Sequence, residues 1–363
     1  MRFQRQLLLA ACFLLVVVLV LAAVLRRPIG EELFERAASA RIADAAAGAT
    51  ASDSLRVFFC GSGSPMPDAT RAGPCVGILA GPHRLVIDAG SGGPRKLAAM
   101  GFPAGGLDQV FLTHLHSDHI DSLGELVLVD WVGGEGRAAP LPVAGPPGVE
   151  RVVAGFNEAY ALDRGYRIAH HGEAIAQPSG YGADARVIPP PAADAGAVPV
   201  YQRGELTVSV FLVDHQPVAP AYGYRVAWRD RVVVVSGDTV YSENLIRAAE
   251  GADLLLHEAL APGMVGTLRD ALAREGAANT ARIMDDILDY HASPVDAARA
   301  AAAAGVGALV LYHLVPPLPA AFLERAFLGD APDYFEGPLR VGVDGLRVTL
   351  PAGSRAIAFD ELL

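Results

Sequence analysis

The chain has 363 residues, a formal net charge of −11 and 52% hydrophobic residues. Lys96 is its only lysine, and no basic run occurs outside the N-terminal flank. Binding of a polyanion by counterion release needs clustered cations, so the composition disfavours a nucleic-acid-binding protein.

An uncharged apolar run occupies residues 7–25, with two arginines on each side of it. Its length is sufficient to cross a bilayer core of about 30 Å. The run ends in Val-Leu-Arg-Arg-Pro, which is a poor cleavage site for a signal peptidase. We therefore expect residues 1–27 to form an uncleaved signal anchor, a transmembrane helix that attaches the protein to a membrane.

The orientation of this anchor is open, because both of its flanks are positively charged. The early position and the short basic head favour an N-terminus inside the cell and a catalytic domain outside it, in the periplasm. A catalytic domain that faces the cytoplasm is the alternative.

Residues 28–54 are rich in alanine and predict a helical linker. In residues 55–363, short Val-, Leu- and Ile-rich runs alternate with segments that contain Gly and Pro. Short strands first, and then helices between strands, predict one elaborated α/β domain. The predicted strands are residues 56–60, 76–79, 84–88, 109–113, 206–213, 222–227, 232–236, 254–257 and 309–313.

The sequence does not determine the redox state of the three cysteines. Cys60 and Cys75 lie near the first strand and loop, where a disulfide and two buried free thiols are equally consistent with the sequence. Cys12 lies in the apolar run.

Four candidate metal ligands stand within six positions after a predicted strand: His114, His116, Asp118 and His119. In an extended segment alternate side chains share a face, so His114 and His116 can hold one ion. Residues 120–131 have the apolar periodicity of a helix, and a bend into that helix would turn Asp118 and His119 toward a second ion. The alternative interpretations are a surface histidine cluster and a degenerate site that has lost its metal.

Three further candidate ligands follow apolar strands in the second half of the chain: His215, Asp238 and His313. Each alone has an ordinary explanation, since histidines at strand ends are usually satisfied polar residues and Gly-Asp-Thr is a common turn. Strands of α/β folds gather functional groups at their carboxyl ends. The joint occurrence of the three residues therefore predicts one site.

The pattern His-x-His-x-Asp-His at 114–119 resembles the HxHxDH motif of the metallo-β-lactamase superfamily, and the three later residues match its remaining ligands in order. The resemblance implies an α/β fold of the αββα four-layer sandwich type. It also implies two metal sites, one with His114, His116, His215 and Asp238, the other with Asp118, His119, Asp238 and His313. Imidazole and oxygen ligands without thiolate suit two Zn²⁺, with Mn or Fe as alternatives in the second site.

Two other segments, His257-Glu258-Ala259 and Tyr290-His291-Ala292, resemble motifs of the ribonuclease Z branch of phosphodiesterases. The resemblance implies that His291 is the general acid, that Glu258 orients it and that Asp118 accepts or aims the proton of the attacking water. The alternative is structural: Glu258 caps a strand and His291 caps the helix that begins near Pro294. Asp88 resembles the aspartate that supports the metal ligands from below.

One departure from ribonuclease Z concerns the substrate. The long arm with which that enzyme grips transfer RNA lies between the third histidine and the bridging aspartate, but here only residues 216–237 separate the two. Transfer RNA is therefore disfavoured as a substrate. Residues 261–290 predict one or two helices beside the general acid, either as a substrate wall or as a surface excursion.

We therefore expect a membrane-anchored two-zinc hydrolase of a small-molecule ester, in first place a phosphodiester and in second place a sulfate ester. A lactonase or thioesterase similar to glyoxalase II is the alternative enzyme, and a non-catalytic metal-binding scaffold is the third interpretation. The oligomeric state is open, with a homodimer as one option.

Overall fold

The computed structural model describes residues 2–49, 53–103, 105–133 and 136–363. The chain forms two compact units, Met1–Ala49 and Thr50–Leu363. The first unit is a single helix, α1 (Arg2–Ala49), of 48 residues. Pro28 lies inside this helix, so no break separates the expected anchor from the expected linker. Residues 50–52 of that linker lie outside the described residues.

The predicted transmembrane anchor at residues 7–25 is wrong, and with it the predicted membrane localisation. No helix in the described part of the chain is long and apolar enough to span a bilayer. The apolar run is instead the first part of α1, which continues into a segment with charged, exposed side chains. Ion pairs such as Arg27–Glu31 and Arg36–Glu32 connect side chains one turn apart in that segment.

The second unit contains two β-sheets that pack face to face. The first sheet has eight strands in the order β15-β14-β1-β2-β3-β4-β5-β6, and the second has seven in the order β13-β12-β11-β10-β9-β8-β7. In chain order the strands are β1 (Ser54–Gly61), β2 (Cys75–Ala80), β3 (His83–Ile87), β4 (Gln109–Phe111), β5 (Leu141–Gly145), β6 (Ala183–Val187), β7 (Val198–Arg203), β8 (Leu206–His215), β9 (Val218–Trp228), β10 (Arg231–Val235), β11 (Leu254–Leu260), β12 (Leu309–Val315), β13 (Leu339–Val341), β14 (Leu346–Pro351) and β15 (Ala358–Glu361).

Helices cover the outer faces of both sheets. The helices of the second unit are α2 (Gly93–Ala99), α3 (Ser117–Ile120), α4 (Leu123–Val132), α5 (Val149–Ala159), α6 (Ala161–His171), α7 (Glu243–Ala249), α8 (Pro262–Arg274), α9 (Ala278–Asp286), α10 (Pro294–Ala304) and α11 (Glu324–Leu328). Apolar side chains of α2, α4 and α5 pack on the first sheet, and those of α7 and α10 pack on the second. The buried face of α10 consists largely of alanines, which allow a close approach to the sheet. The predicted αββα sandwich is confirmed.

The core between the sheets places the strand ends that carry the site. Phe111, Tyr222, Tyr312 and Val348 are among the buried side chains that both sheets contribute to this core. Neighbours β3 and β4 are parallel, as are β10, β11 and β12. Parallel strands end at the same edge of a sheet, so the residues that follow them meet there.

A disulfide joins the first two strands of the second unit. Cys60 in β1 and Cys75 in β2 are buried, their Cα atoms are 5.0 Å apart, and their sulfur atoms are bonded. Of the two alternatives for these cysteines, the structure has the disulfide.

We expect this disulfide to appear in a thiol count. Unfolded protein without reductant should react as one thiol, that of Cys12, and reduced protein as three, and Cys12→Ser should lower each count by one. Since the bond closes a loop of 15 residues, its removal in Cys60→Ala/Cys75→Ala should lower the free energy of unfolding by about 3 kcal/mol. Chemical denaturation measures that change. Three thiols in the untreated protein would contradict the bond.

Candidate metal centre

The HxHxDH segment bends where the sequence predicts it. His114 follows β4, and His116 has extended backbone angles directly before α3 begins at Ser117. The bend places Asp118 and His119 in the first turn of the helix. The same short segment can therefore present side chains to two neighbouring positions.

The first group of candidate ligands is His114, His116, His215 and Asp238. Each offers one ligand atom, and these atoms all lie within 4.8 Å of one another. The Nδ1 atom of His116 is 3.0 Å from Nε2 of His114 and 3.3 Å from Nε2 of His215. Asp238 Oδ2 is 3.8 Å from Nε2 of His114 and also 3.8 Å from Nε2 of His215.

The second group consists of Asp118, His119 and His313, whose ligand atoms also lie within 4.8 Å of one another. Asp118 Oδ2 is 3.3 Å from Nε2 of His313 and 3.5 Å from Nε2 of His119. Asp238 Oδ2 is 3.2 Å from Nε2 of His313 and 3.4 Å from Nε2 of His119. The carboxylate of Asp238 therefore lies between the two groups, where the sequence predicts a bridging ligand.

The polar atoms of these residues fit divalent cations. His119 Nε2 and Asp238 Oδ1 are buried and have no hydrogen-bond partner among the described residues. An unsatisfied buried polar group costs about 1–3 kcal/mol. Imidazole nitrogens and carboxylate oxygens that converge at this spacing are the donor set that zinc prefers, and a bound ion would satisfy them.

Hydrogen bonds behind the candidate ligands fix the direction of two imidazoles. Asp88 accepts from the Thr113 backbone N–H at 2.8 Å, from Thr113 Oγ1 at 2.8 Å and from Nδ1 of His119 at 2.9 Å. His215 donates from Nδ1 to the carbonyl oxygen of Tyr290 at 3.0 Å. Because Nδ1 is engaged in both rings, Nε2 faces the centre.

Burial keeps three of the imidazoles neutral. It lowers the pKa of His114 well below the usual value and also lowers the pKa values of His116 and His215. A neutral imidazole retains the lone pair that a metal ligand requires.

The carboxylate of Asp238 is held in its charged form. Burial acts to raise its pKa, but His313 and His119 outweigh burial and hold that pKa well below the usual value. For His119 burial opposes the charge, while the carboxylates of Asp238 and Asp88 raise its pKa well above the usual value. Positive charge is therefore favoured around Asp238, from a proton or from a metal ion.

The residues expected to supply and orient the general acid contact each other beside this centre. His291 Nδ1 is 3.0 Å from Glu258 Oε1, which also accepts from the backbone N–H groups of Thr239 and Ala292, each at 3.1 Å. A ring nitrogen of His291 lies within 4.8 Å of ligand atoms of Asp238 and His313. Burial opposes its charge, but the Glu258 carboxylate raises the pKa of His291 to about 9.

The alternative interpretation, in which His291 caps helix α10, does not agree with the structure. The residue that caps α10 is Ser293, whose side chain accepts from the Asp296 backbone N–H in a complete capping box. His257, the neighbour of Glu258, is buried and stays outside the groups of candidate ligands among the described residues.

A pocket of about 420 Å³ opens above the candidate ligands. Its floor includes Asp118, Asp238 and His313, and the segment 261–290 forms one side of it through α9. That segment, for which the sequence allows two interpretations, is thus a wall of the pocket. The side chains of the pocket wall that the sequence reasoning missed are Pro65, Met66, Pro67, Thr280, Ile283, Met284, Ile287 and Val315. Thr280, Ile283 and Met284 lie on α9, and their separation by three and four residues was the signal in the sequence that they share one helix face.

Comparisons with known proteins agree with this geometry. Residues 83–314 match the family model described as a beta-lactamase superfamily domain. Ribonuclease Z of Mycobacterium avium (strain 104) is 38% identical over 304 residues, which cover 83% of this chain and 100% of that protein. Ribonuclease Z of Mycobacterium bovis (strain BCG / Pasteur 1173P2) is 37% identical over 295 residues, which cover 81% and 98% of the two chains.

Solved structures share the fold. The metallo-beta-lactamase fold protein YhfI from Bacillus subtilis has a TM-score of 0.55 at 23% identity, and human tRNase Z, short form, has a TM-score of 0.56 at 21% identity. Each covers 82% of this chain and 99% of its own. The solved structures show the fold, and the relatives named ribonuclease Z show the branch of the family. The chain belongs to the metallo-β-lactamase superfamily, in its ribonuclease Z branch, and is a metallohydrolase of that fold.

Proposed function

We propose that the protein is a metal-dependent phosphodiesterase that acts on a small substrate. The observation that carries this proposal is the position of Asp238, one carboxylate shared by two ligand groups, next to the paired side chains of His291 and Glu258. A shared carboxylate suits a two-metal hydrolase, and a histidine held by a glutamate suits protonation of a leaving oxygen. The relatives named ribonuclease Z support a phosphodiester over a sulfate, carboxylic or thioester bond.

Two Zn²⁺ would bind, with Mn or Fe as alternatives at the second position. His114, His116, His215 and Asp238 would hold the first ion, and Asp118, His119, His313 and again Asp238 the second. When bound, two such ions lower the pKa of a water between them and neutralise the charge that develops on the ester oxygens.

Asp118 would accept or aim the proton of the attacking water. Burial acts to raise the pKa of its carboxyl, but the hydrogen bond from His313 and the charge of His119 hold that pKa below the usual value. Asp118 is therefore a carboxylate, with Oδ2 turned to His313 at 3.3 Å. It also lines the pocket, where a substrate would meet it.

His291 would donate a proton to the departing oxygen. With a pKa of about 9 it is protonated at neutral pH, so its ring carries a proton to give. Glu258 accepts from Nδ1 and leaves Nε2 to face the substrate. General acid catalysis of this kind contributes about 10² to 10⁴ in rate.

The preference for a small phosphodiester rests on charge and connectivity. Lys96, the only lysine, lies 3.2 Å from the carbonyl oxygen of Thr70 and 3.6 Å from Asp344. Between His215 and Asp238 the chain forms only the paired strands β9 and β10, without an RNA-gripping arm. The relatives named ribonuclease Z and tRNase Z favour RNA as the substrate instead. A direct comparison of an RNA with a small phosphodiester distinguishes the two substrate classes.

Metal analysis tests the shared carboxylate. We expect the zinc-loaded full chain to contain about two zinc ions, as a dinuclear site requires. Asp238→Asn keeps the shape of the side chain but removes its charge, so it should reduce the zinc content to one ion or fewer. It should also lower kcat/KM for bis(p-nitrophenyl) phosphate by at least about 10³-fold. The exposed Asp194→Ala is the control and should leave both values unchanged. Full zinc content in Asp238→Asn would contradict the bridging role.

Leaving-group dependence tests the acid. His291→Asn and Glu258→Gln should slow hydrolysis of a phosphodiester with an alkyl leaving group by about 10²-fold or more, because an alkoxide needs a proton to depart. Hydrolysis of bis(p-nitrophenyl) phosphate should change much less, since p-nitrophenolate leaves unaided. Zinc content should remain at the wild-type value, and His171→Asn, at an exposed position, is the control. Loss of zinc in His291→Asn would instead make His291 a ligand.

A direct comparison tests the size of the substrate. Since no lysine or arginine lines the pocket in the described part of the chain, we expect the zinc-loaded enzyme to leave a 3′-extended transfer RNA precursor intact while it turns over bis(p-nitrophenyl) phosphate. Gel analysis of the RNA and absorbance of nitrophenolate measure the two reactions. Cleavage of the precursor with a higher kcat/KM would show that the preference for a small substrate is wrong.

A further inference from the structure

We propose that the pocket selects phosphodiesters that carry an apolar organic group, aryl or alkyl, and that Ile283 on α9 is a specificity-determining residue. This inference rests on the proposed phosphodiesterase function and adds the chemical class of the substrate. The occupant is identified by the wall it would touch, which is largely apolar and contains no lysine or arginine among the described lining residues.

One face of α9 and the turn after it form the wall. Thr280, Ile283, Met284 and Ile287 follow helical spacing and all line the pocket. Met66 lies opposite, between two prolines that line the same space. The pocket volume of about 420 Å³ is within the range of about 300–1,000 Å³ for small-molecule sites.

The wall is fixed to the domain from behind. Met284 is buried and packs with Val265 of α8 and with Val315 at the end of β12. An ion pair of 3.0 Å between Arg269 and Asp285 ties α8 to α9. The wall is therefore a rigid surface rather than a loose excursion.

Ile283 presents unburied apolar surface on this fixed support. Its side chain is 52% exposed although its neighbour Met284 is 4% exposed. Burial of apolar surface is favourable by about 25 cal/mol per Å², so an apolar ligand that covers Ile283 gains affinity. A hydrated or charged group in contact with Ile283 gains no affinity in this way.

The α9 wall offers no lysine or arginine, among the described lining residues, to a second anionic group. The charged pocket-lining carboxylates are Asp118 and Asp238, and the arginines near α9 are engaged, Arg282 with Asp286 and Arg269 with Asp285. An adjacent phosphate, as in RNA, would find no lysine or arginine among the described residues that line the pocket, and the proposed function assigns the His291 proton to the departing oxygen. An uncharged aryl or alkyl group meets no such penalty.

Tyr290 extends the wall to the candidate acid. Its ring lies edge-on to His215, with the centroids 5.1 Å apart, and tilted against His291 at 4.8 Å. An organic group packed on Ile283 and Tyr290 would therefore hold its ester oxygen on the side of the pocket where His291 lies.

Direct binding tests the inference without turnover. We expect the zinc-loaded full chain to bind phenylphosphonate at least about tenfold more tightly than methylphosphonate, as the extra apolar area in a pocket implies. Isothermal titration calorimetry measures both affinities. Equal affinities would overturn the apolar selection, while continued hydrolysis of phosphodiesters would leave the proposed function standing.

A variant pair assigns the effect to the wall. Ile283→Ser should reduce the preference for phenylphosphonate by about threefold or more, because it removes exposed apolar contact without creating a buried cavity. Leu268→Ser is the matched control: Leu268 is a similarly exposed residue of α8, 36% exposed, that does not line the pocket. An unchanged preference in Ile283→Ser, or an equal loss in both variants, would overturn the role of Ile283. If neither phosphonate binds and no phosphodiester is hydrolysed, the proposed function fails together with the inference.

Discussion

The buried carboxylate of Asp238 is the group around which the centre is organised. Its Oδ2 lies 3.2–3.8 Å from Nε2 atoms of four histidines that come from both sheets. An isolated buried carboxylate costs several kcal/mol, so positive charge must accompany it. The low pKa of Asp238, the high pKa of His119 and the unpartnered donor atoms are consequences of this one requirement. Bound divalent ions would meet this requirement for positive charge.

The backbone geometry at two strand ends places Asp238 and the ring of His119 in the centre. Gly237 has a φ of +63°, and a Cβ atom there would lie 2.4 Å from the carbonyl oxygen of Tyr222, so only glycine allows the turn that presents Asp238. On the opposite sheet Asp88, with a φ of 58°, binds both the strand end at Thr113 and the ring of His119. The site is thus assembled by two turns with left-handed backbone at strand ends, one made possible by glycine and the other held by the hydrogen bonds of Asp88.

The candidate ligands that the sequence predicts lie together in the structure, because the HxHxDH spacing is local and each later candidate follows a buried strand. The sequence predicted the edge strands poorly, since β6 and β7 are largely exposed and carry no apolar run. The pairing of Cys60 with Cys75 depends on the register of β1 and β2, which spacing alone does not give. The anchor prediction failed because it rested on the length of the apolar run alone, whereas no helix in the described part of the chain is both long and apolar enough to span a bilayer.

The segment 261–290 links substrate selection to chemistry. It forms the apolar wall through α9, and it ends at Tyr290, whose carbonyl oxygen accepts the Nδ1 hydrogen bond of His215. The next residue is His291, the candidate acid. A ligand that packs on the wall therefore contacts the same short segment that orients a metal ligand and carries the proton donor. The segment is held by the Arg269–Asp285 ion pair between α8 and α9 and, at its end, by the contact of His291 with Glu258. Under the proposed function, substrate selection and proton donation would therefore depend on the same segment.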